Sequence, residues 1–501
     1  MLKQLQAIVG ADHISNEPDA CDLATSDIFE WPGRARALMV ASPATTEETA
    51  AILRVLREHG APVVARGAGL SYTGAFAMER APVVVDTTRM NAIEVNTADR
   101  YAAVGAGASW ASVADTLKLF GMRSAQPSPI SGAYSTVGGL AAQGMPAGLD
   151  GILGLTVVLS DGSVVRTGAP NRFYRYAGPD LTGVFLGDCG ALGIKTEVTI
   201  RIAPEQPTAF ASFGFDNADQ LLQSLIACMD EGVVTRMFAM DRVKSQDAGK
   251  VEIGDALRTS AAMIQQSGSL VQSVKDAAKL FRLAVAPKDD RPWSLHLTLE
   301  SPTRAGADAQ LQRAREICGS QGIERGDVFP RALKAKPYSI RGFVGPSGER
   351  WVPVHGIFPL SNARSALAGL QSHVAAQAAR MAELGVTASW LLSSSGPYVA
   401  IEPMLYWRDQ LDPIHMRYLS PRNRERFGAF APNPPARQLV RAMRESLRDV
   451  MDTHGAVHSQ VGRFYRTDRS SPDALLTRLK AALDPDHRLN PGVLGTLAQL
   501  K

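Results

Sequence analysis

The stretch ARGAGLSYTGA, residues 65–75, sets three glycines among other small residues directly after the apolar run APVV. Glycine permits backbone conformations and close approaches that a Cβ forbids, so such a loop after a strand can aim several N–H groups at one anion, most often a phosphate. The loop is neither GxGxxG opening a helix nor GxxxxGK[ST], which excludes the Rossmann and P-loop arrangements. It also carries one large polar side chain, Tyr72, in a turn otherwise built from small residues.

Outward from this loop, the first 204 residues alternate short β-branched runs with glycine-built turns. TTEETAAILRVLREHG (45–60) opens on capping residues, places Ile52, Leu53 and Leu56 on one helical face and stops at Gly60. APVVARG and APVVVDTTRM read as short buried strands, and SWASVADTLKLFG as a helix ended by Gly121. LTVVLSDGSVVRTG (155–168) is a hairpin around Asp161-Gly162. After RIAPEQP the texture shifts to longer helical periods such as ADQLLQSLIACMDEG, with strand-like pieces WSLHLTLES and WVPVHGIFPL between them. NPPARQLVRAMRESLRDVMDTHG is helical, with Leu439, Met443, Leu447 and Val450 on one face. The turn-rich tail LDPDHRLNPGVLG is expected to fold back onto the first lobe.

At 501 residues the chain is too long for one small core, so two lobes are expected. A net charge of +4 from 53 basic and 49 acidic residues implies neither a nucleic-acid nor a membrane partner. The N-terminus lacks a signal-type apolar region, and no uninterrupted apolar run reaches about 18 residues, so a cytoplasmic location is expected. Cys21, Cys189, Cys228 and Cys318 lie far apart, without CxxC or metal-ligand spacing, and read as reduced thiols with no metal site.

Three further glycine clusters, GAYSTVGGLAAQG (132–144), GDCGALGIKT (187–196) and LNPGVLG (489–495), follow the first. Their order, and above all GPDLTGVFLGDCGALGIKTEVTIRIAP (178–204), resembles the FAD-binding domain of the vanillyl-alcohol oxidase and p-cresol methylhydroxylase superfamily. The likeness is good over about residues 35–205, fair over the last 60 and weaker between. A dinucleotide with two phosphates needs several close backbone approaches, which four spaced clusters supply. The resemblance implies an α+β fold: a p-cresol-methylhydroxylase-type FAD domain of two α/β subdomains (1–205), an α+β substrate domain on an antiparallel sheet (206–455), and a C-terminal segment returning to the FAD domain (456–501). It places the pyrophosphate loop at Arg66, Gly67, Ala68, Gly69, Leu70 and Ser71. The flavin-ring segment is Pro129, Ser131, Thr136, Gly138 and Gly139, and the adenine side Gly190, Leu192, Gly193 and Ile194, with Asn490 joining from the tail.

Within this superfamily two chemistries compete, because fold does not set substrate. The phenol-oxidising branch carries a tyrosine in its first glycine loop and a Tyr-Arg-Thr run near its C-terminus; YTGA puts Tyr72 and GRFYRTD puts Tyr465 and Arg466 at those places. An arginine and two tyrosine hydroxyls around a phenolic oxygen stabilise the phenolate, which eases hydride loss from the benzylic carbon to flavin N5 through a quinone methide. The expected function is therefore FAD-dependent oxidation of a para-substituted phenol. Oxygen, a cytochrome or a quinone would be the electron acceptor, and a homodimer the assembly. The acidic residue that vanillyl-alcohol oxidase has after its flavin-facing proline is replaced here by Ile130, so the base must come from elsewhere; His355, His458, Glu402 and His415 are candidates. The hydroxy-acid branch, glycolate and D-lactate dehydrogenases, is the alternative, although its HxGDGNxH metal motif is missing and VHSQ (457–460) stands where GEHG is usual. The opening loop has no histidine for covalent flavin attachment, so non-covalent FAD is expected, with His355 the residue that would carry a covalent bond.

Overall fold

The structure, a computed structural model, describes residues 1–126, 131–244, 291–335, 337–338, 343–465 and 472–495. Two compact units emerge: Met1–Glu205 with Asp412–Tyr418 and Ser459–Lys501, and Gln206–Leu411 with Leu419–His458.

The first unit contains two sheets. In the smaller, strand Val83–Asp86 lies parallel between Met39–Ala41 and Val63–Arg66, and Ile14–Ser15 closes the edge antiparallel to Met39–Ala41. Strands in parallel pairing tend to be covered on both faces, which is why APVV and APVVV are unbroken apolar runs rather than alternating ones. Helix Thr46–Glu58 covers one face with Ile52, Leu53 and Leu56, all fully buried against Val63, Val83 and Val85. Its start is fixed reciprocally: the Glu48 amide donates to Thr45 Oγ1 at 3.1 Å, and the Glu48 carboxylate accepts from the Ala44 amide at 2.7 Å. The second sheet is antiparallel, in the order 93–96, 101–105, 194–204, 152–158, 164–166, with Met122–Ser124 on the far end of 194–204. The hairpin lies where Asp161-Gly162 marks it, pairing Val157 with Val165 and Val158 with Val164. The tail rejoins this unit through a parallel bridge of Leu489 on Val63, in which the Val63 amide donates to the Arg488 carbonyl and the Asn490 amide to the Val63 carbonyl.

The second unit is built on an eight-stranded antiparallel sheet in the order 323–325, 208–215, 293–300, 236–241, 386–396, 398–407, 350–353, with Gly356–Pro359 also on 398–407. Helices Ala218–Asp230 and Arg304–Gly319 pack together, bringing the buried Cys228 and Cys318 sulfurs to 3.7 Å. Helix Pro434–Thr453 buries Leu439, Met443 and Leu447, but the stripe continues through Met451, four residues beyond Leu447, while Val450 is only half-buried. Arg444 and Arg448 lie in the same buried stripe. The fold is thus mixed α+β with antiparallel sheets, as the glycine clusters and alternating strands imply. Residues 412–418, a short helix from Pro413 to Tyr418, cluster with the first unit, a detour that the texture of the central segment does not announce.

On the sheet of the second unit, His296 is fully desolvated between Ser212 Oγ (2.9 Å from Nδ1) and Ser294 Oγ (3.2 Å from Nε2), its ring stacked on Phe238. Burial, with the nearby Arg325 charge, pushes it down to about 3, so the folded protein keeps it neutral. Below the ordinary histidine range the unfolded chain takes up a proton that the folded one refuses. Stability present above about pH 6.5 should therefore fall by about 1.4 kcal/mol per pH unit as the pH drops toward 3. Urea titrations at pH 6 and pH 4 on wild type and His296→Gln check this: the variant should lose part of the slope.

Candidate active site

The glycine loop follows strand Val63–Arg66 directly and is held from several sides. The Ile28 amide donates to the Ser71 carbonyl and the Gly74 amide to Asp27 Oδ2 at 2.7 Å. Arg463 donates to the carbonyls of Gly74, Ala75 and Pro491 and to Asn490 Oδ1, all between 2.8 and 3.0 Å. Burial lowers the Arg463 guanidinium to about 10, still charged at neutral pH. Asn490 spends its side-chain amide on the carbonyls of Ala75 and Cys189, 2.7 Å each, and so ties the first glycine loop to the third. Its left-handed backbone, φ 41°, suits asparagine.

The third loop is shaped by a buried carboxylate. Asp188 accepts from the amides of Gly190 (2.9 Å) and Leu192 (3.1 Å) and pairs with the buried Lys195 ammonium, which also reaches the Gly193 carbonyl. Cys189, at φ 50°, donates its thiol to the Val461 carbonyl; burial and the adjacent Asp188 push it up to about 12, so it stays a neutral thiol. Tyr418, at the end of the 412–418 detour, donates its hydroxyl to the Ala68 carbonyl in the first loop, and its ring lies 4.7 Å from that of Tyr134.

One cavity joins these loops. Of the residues read from sequence, Arg66, Gly67, Ala68, Gly69, Leu70, Ser71, Tyr72, Ser131, Thr136, Gly138, Gly139, Gly190 and Gly193 line it. Leu192, Ile194 and Asn490 are buried behind the lining rather than in it. Pro129 and Arg466 lie outside the described residues. Tyr465 is buried beside the loop: the Phe464 amide donates to the Thr73 carbonyl, which sets the chain neighbours Tyr72 and Tyr465 on either side of one backbone hydrogen bond. Ser135, Gln143, Met145, Cys189, Lys195 and Gln460 complete much of the wall and were not singled out from sequence. The strained backbone of Gln460, φ 55°, is not visible in a one-dimensional pattern.

His355 and His458 belong to the second unit. His355 Nδ1 is 3.1 Å from Glu402 Oε1, which joins two of the candidates for a base. His458 faces acceptors at both nitrogens, Asp452 Oδ1 at 2.7 Å and the His355 carbonyl at 2.8 Å. His415, fully buried in the 412–418 helix, has its Nδ1 3.2 Å from the Asp412 amide. Among the described residues no three His, Cys, Asp or Glu side chains gather as a metal site, and no helix is long and apolar enough to cross a membrane.

The cavity fits a phosphate-bearing cofactor. Among the described residues, the N–H groups of Ala68, Gly69 and Leu70 donate to no protein acceptor. Gly67 passes so close to Thr136 that a Cβ would meet its Oγ1 at 2.4 Å, and that hydroxyl is already the cap of helix Val137–Gln143. A chain that keeps three adjacent amide donors unspent beside a cavity is arranged for an anion with several oxygens.

Residues 37–168 match the family described as FAD binding domain. An FAD-linked oxidoreductase of Mycobacterium tuberculosis is 33% identical over 202 residues, 38% of this chain and 44% of that protein. A glycolate oxidase subunit of Bacillus subtilis is 31% identical over 196 residues, 37% and 41% of the two chains. The D-lactate dehydrogenase of Archaeoglobus fulgidus is 28% identical over 180 residues, 35% and 40%. The chain thus spans less than half the length of these curated relatives. Among solved structures, p-cresol methylhydroxylase with substrate bound superposes with a TM-score of 0.70 at 17% identity, covering 100% of this chain and 97% of that one. The 4-ethylphenol oxidase of Gulosibacter chungangensis gives 0.71 at 16%, covering 99% and 97%. The likeness of fold therefore runs the length of the chain, while the family match spans residues 37–168 and the matches to these relatives 35–38% of the chain. This chain carries an FAD-binding domain in a p-cresol-methylhydroxylase-type fold, and FAD is its cofactor.

Proposed function

We propose that the protein is an FAD-dependent oxidoreductase acting on a para-substituted phenol, a 4-alkylphenol, 4-hydroxybenzylic alcohol or related lignin-derived aromatic. The observation that carries this reading is Tyr72: a phenol side chain 6% exposed, in the wall of the same cavity as the pyrophosphate loop, on a backbone braced at Ser71, Thr73, Gly74 and Ala75. A hydroxyl held that firmly can donate to a phenolic oxygen without reorganising, the condition under which a donor favours a developing oxyanion most. Tyr465, adjacent through the Thr73 to Phe464 bond, supplies the second donor, and Arg466 the positive charge that favours the phenolate. With the phenolate formed, its para carbon is electron-rich and the benzylic C–H is weakened toward hydride loss. FAD, when bound, supplies the hydride acceptor. The fold shared with two phenol-oxidising proteins supports the same reading.

The second reading, a 2-hydroxy-acid dehydrogenase, is favoured by the relatives that act on glycolate and D-lactate. Anaerobic mixing of the flavin-loaded protein with 4-alkylphenols, their methyl ethers, vanillyl alcohol, D-lactate and glycolate, watched in the visible flavin band, separates the two. Bleaching by the phenols and not by the ethers is expected. Bleaching by a hydroxy acid alone would retire the phenol assignment.

A further inference from the structure

A second pocket opens where Pro62 leads into strand Val63–Arg66, the end of the strand away from the glycine loop; four residues of strand put roughly 10 Å between the two. Arg57, Arg80, His487 and Arg488 line it, against a single carboxylate, Asp486. Arg488 is 4% exposed and donates from Nη2 to the Ser160 carbonyl, but its Nε and Nη1 have no hydrogen-bond partner among the described residues. Asp486 does not supply one. Its half-exposed carboxylate stands 3.9 Å from Arg488 Nε and 3.5 Å from Arg57 Nε, both beyond the usual hydrogen-bond range of about 2.7–3.2 Å. Arg57 is half-exposed in the last turn of helix Thr46–Glu58, and Arg80 is exposed. Arg463, buried in the same unit, shows the contrast: its guanidinium donates to four oxygens.

A guanidinium keeps its proton when buried, so the unbonded N–H groups of Arg488 are a cost to the fold that an anion in the pocket removes. Three guanidinium groups, from a helix end, a loop and the tail, against one carboxylate leave a net charge of +2 before His487 is counted. Planar forks on separate chain segments suit an anion that carries two charges and points its oxygens in several directions, which a phosphate group does and a lone carboxylate does not. We propose that this pocket is a binding site for a phosphate dianion, free or on a small phosphomonoester, separate from the cofactor cavity and coupled to it through the tail. Three consecutive residues carry the coupling: Arg488 lines the pocket, Leu489 is bridged to Val63, and Asn490 ties Ala75 to Cys189 at the glycine loops. An anion that holds Arg488 holds Asn490 with it, so occupancy of the pocket tightens the binding of FAD, and FAD tightens the binding of the anion. Neither the site nor its coupling depends on which substrate is oxidised.

The test uses the FAD-loaded full chain, so that the cofactor cavity is already filled, in chloride and in phosphate at matched ionic strength. Inorganic phosphate should raise the melting temperature by about 2–4 °C. It should also tighten FAD binding about 5-fold or more, read from flavin fluorescence on dilution. Methyl phosphate is the second arm: an effect equal to that of inorganic phosphate identifies the bare group as the ligand, and a larger effect at lower concentration identifies a phosphomonoester. Arg57→Gln and Arg80→Gln, at exposed or half-exposed positions outside the cofactor cavity, should fold as the wild type does and lose both responses, while Arg80→Lys should keep part of them. Chloride that matches phosphate at equal ionic strength, or a phosphate response that survives in both glutamine variants, overturns the site. A melting temperature that moves while FAD affinity stays fixed overturns the coupling. A protein that retains no flavin overturns the cofactor assignment instead, and the melting temperatures of wild type and variants in phosphate still read the pocket.

Discussion

Asp484→Ala should lower the free energy of unfolding by about 3–5 kcal/mol, the cost of leaving a buried charge without its partner. Asp484 is fully buried and does three things at once: it pairs with Lys480, and it accepts from the amides of Arg488 (3.1 Å) and Leu489 (2.8 Å). The ammonium it neutralises also donates to the carbonyls of Ala191 and Leu489, 2.7 Å each, so one ion pair joins the tail to the third glycine loop. Burial already depresses the Lys480 ammonium and the carboxylate works against that depression; without it the lysine is driven toward its neutral form. Lys480→Met with Asp484→Leu, which removes both charges, should recover most of the loss. Chemical denaturation of the three proteins measures it, and a single variant as stable as the wild type would show the pair to be dispensable.

Tyr72→Phe should leave stability and FAD binding nearly unchanged and lower kcat/KM for the phenol about 10²–10³-fold, the effect of deleting one preorganised oxyanion donor, roughly 2.7–4 kcal/mol. The loop backbone is held on both sides of residue 72 by Ile28, Asp27, Arg463 and Phe464, so its shape does not rest on one side chain alone. Because the lost donor favours the phenolate, the rising limb of the pH–rate profile should also move to higher pH. Stopped-flow reduction across pH reads both effects. Unchanged rates would make Tyr72 a packing residue and strengthen the hydroxy-acid reading.

Much of this was legible one-dimensionally, for identifiable reasons. The helix at 46–58 shows itself because cap and apolar face are local, and the hairpin because Asp161-Gly162 sits at its turn. The cofactor loops show themselves because close backbone approach demands glycine, so function writes itself into composition. What was hidden depends on partners far away in sequence. Nothing local marks Asn490 as the link between Ala75 and Cys189, Tyr418 as the hydroxyl on Ala68, or Asp188 as the carboxylate inside the third loop. The helix at 434–453 misleads in a different way: a hydrophobic stripe is sought among apolar residues, while Arg444 and Arg448 share the buried face, Arg448 reaching Asp449 at 3.0 Å.

The return of residues 459–495 to the first unit has a consequence for biosynthesis. Chains emerge from the ribosome from the N-terminus, and domains tend to fold as they emerge. Here strand Val63–Arg66 waits for Leu489, and the loop at 74–75 for Arg463 and Asn490, until nearly all of the central segment has been made. The cradle therefore gains its last contacts only after residues 206–411 and 419–458 of the second unit have been synthesised, so in the first unit the order of assembly departs from the order of the chain.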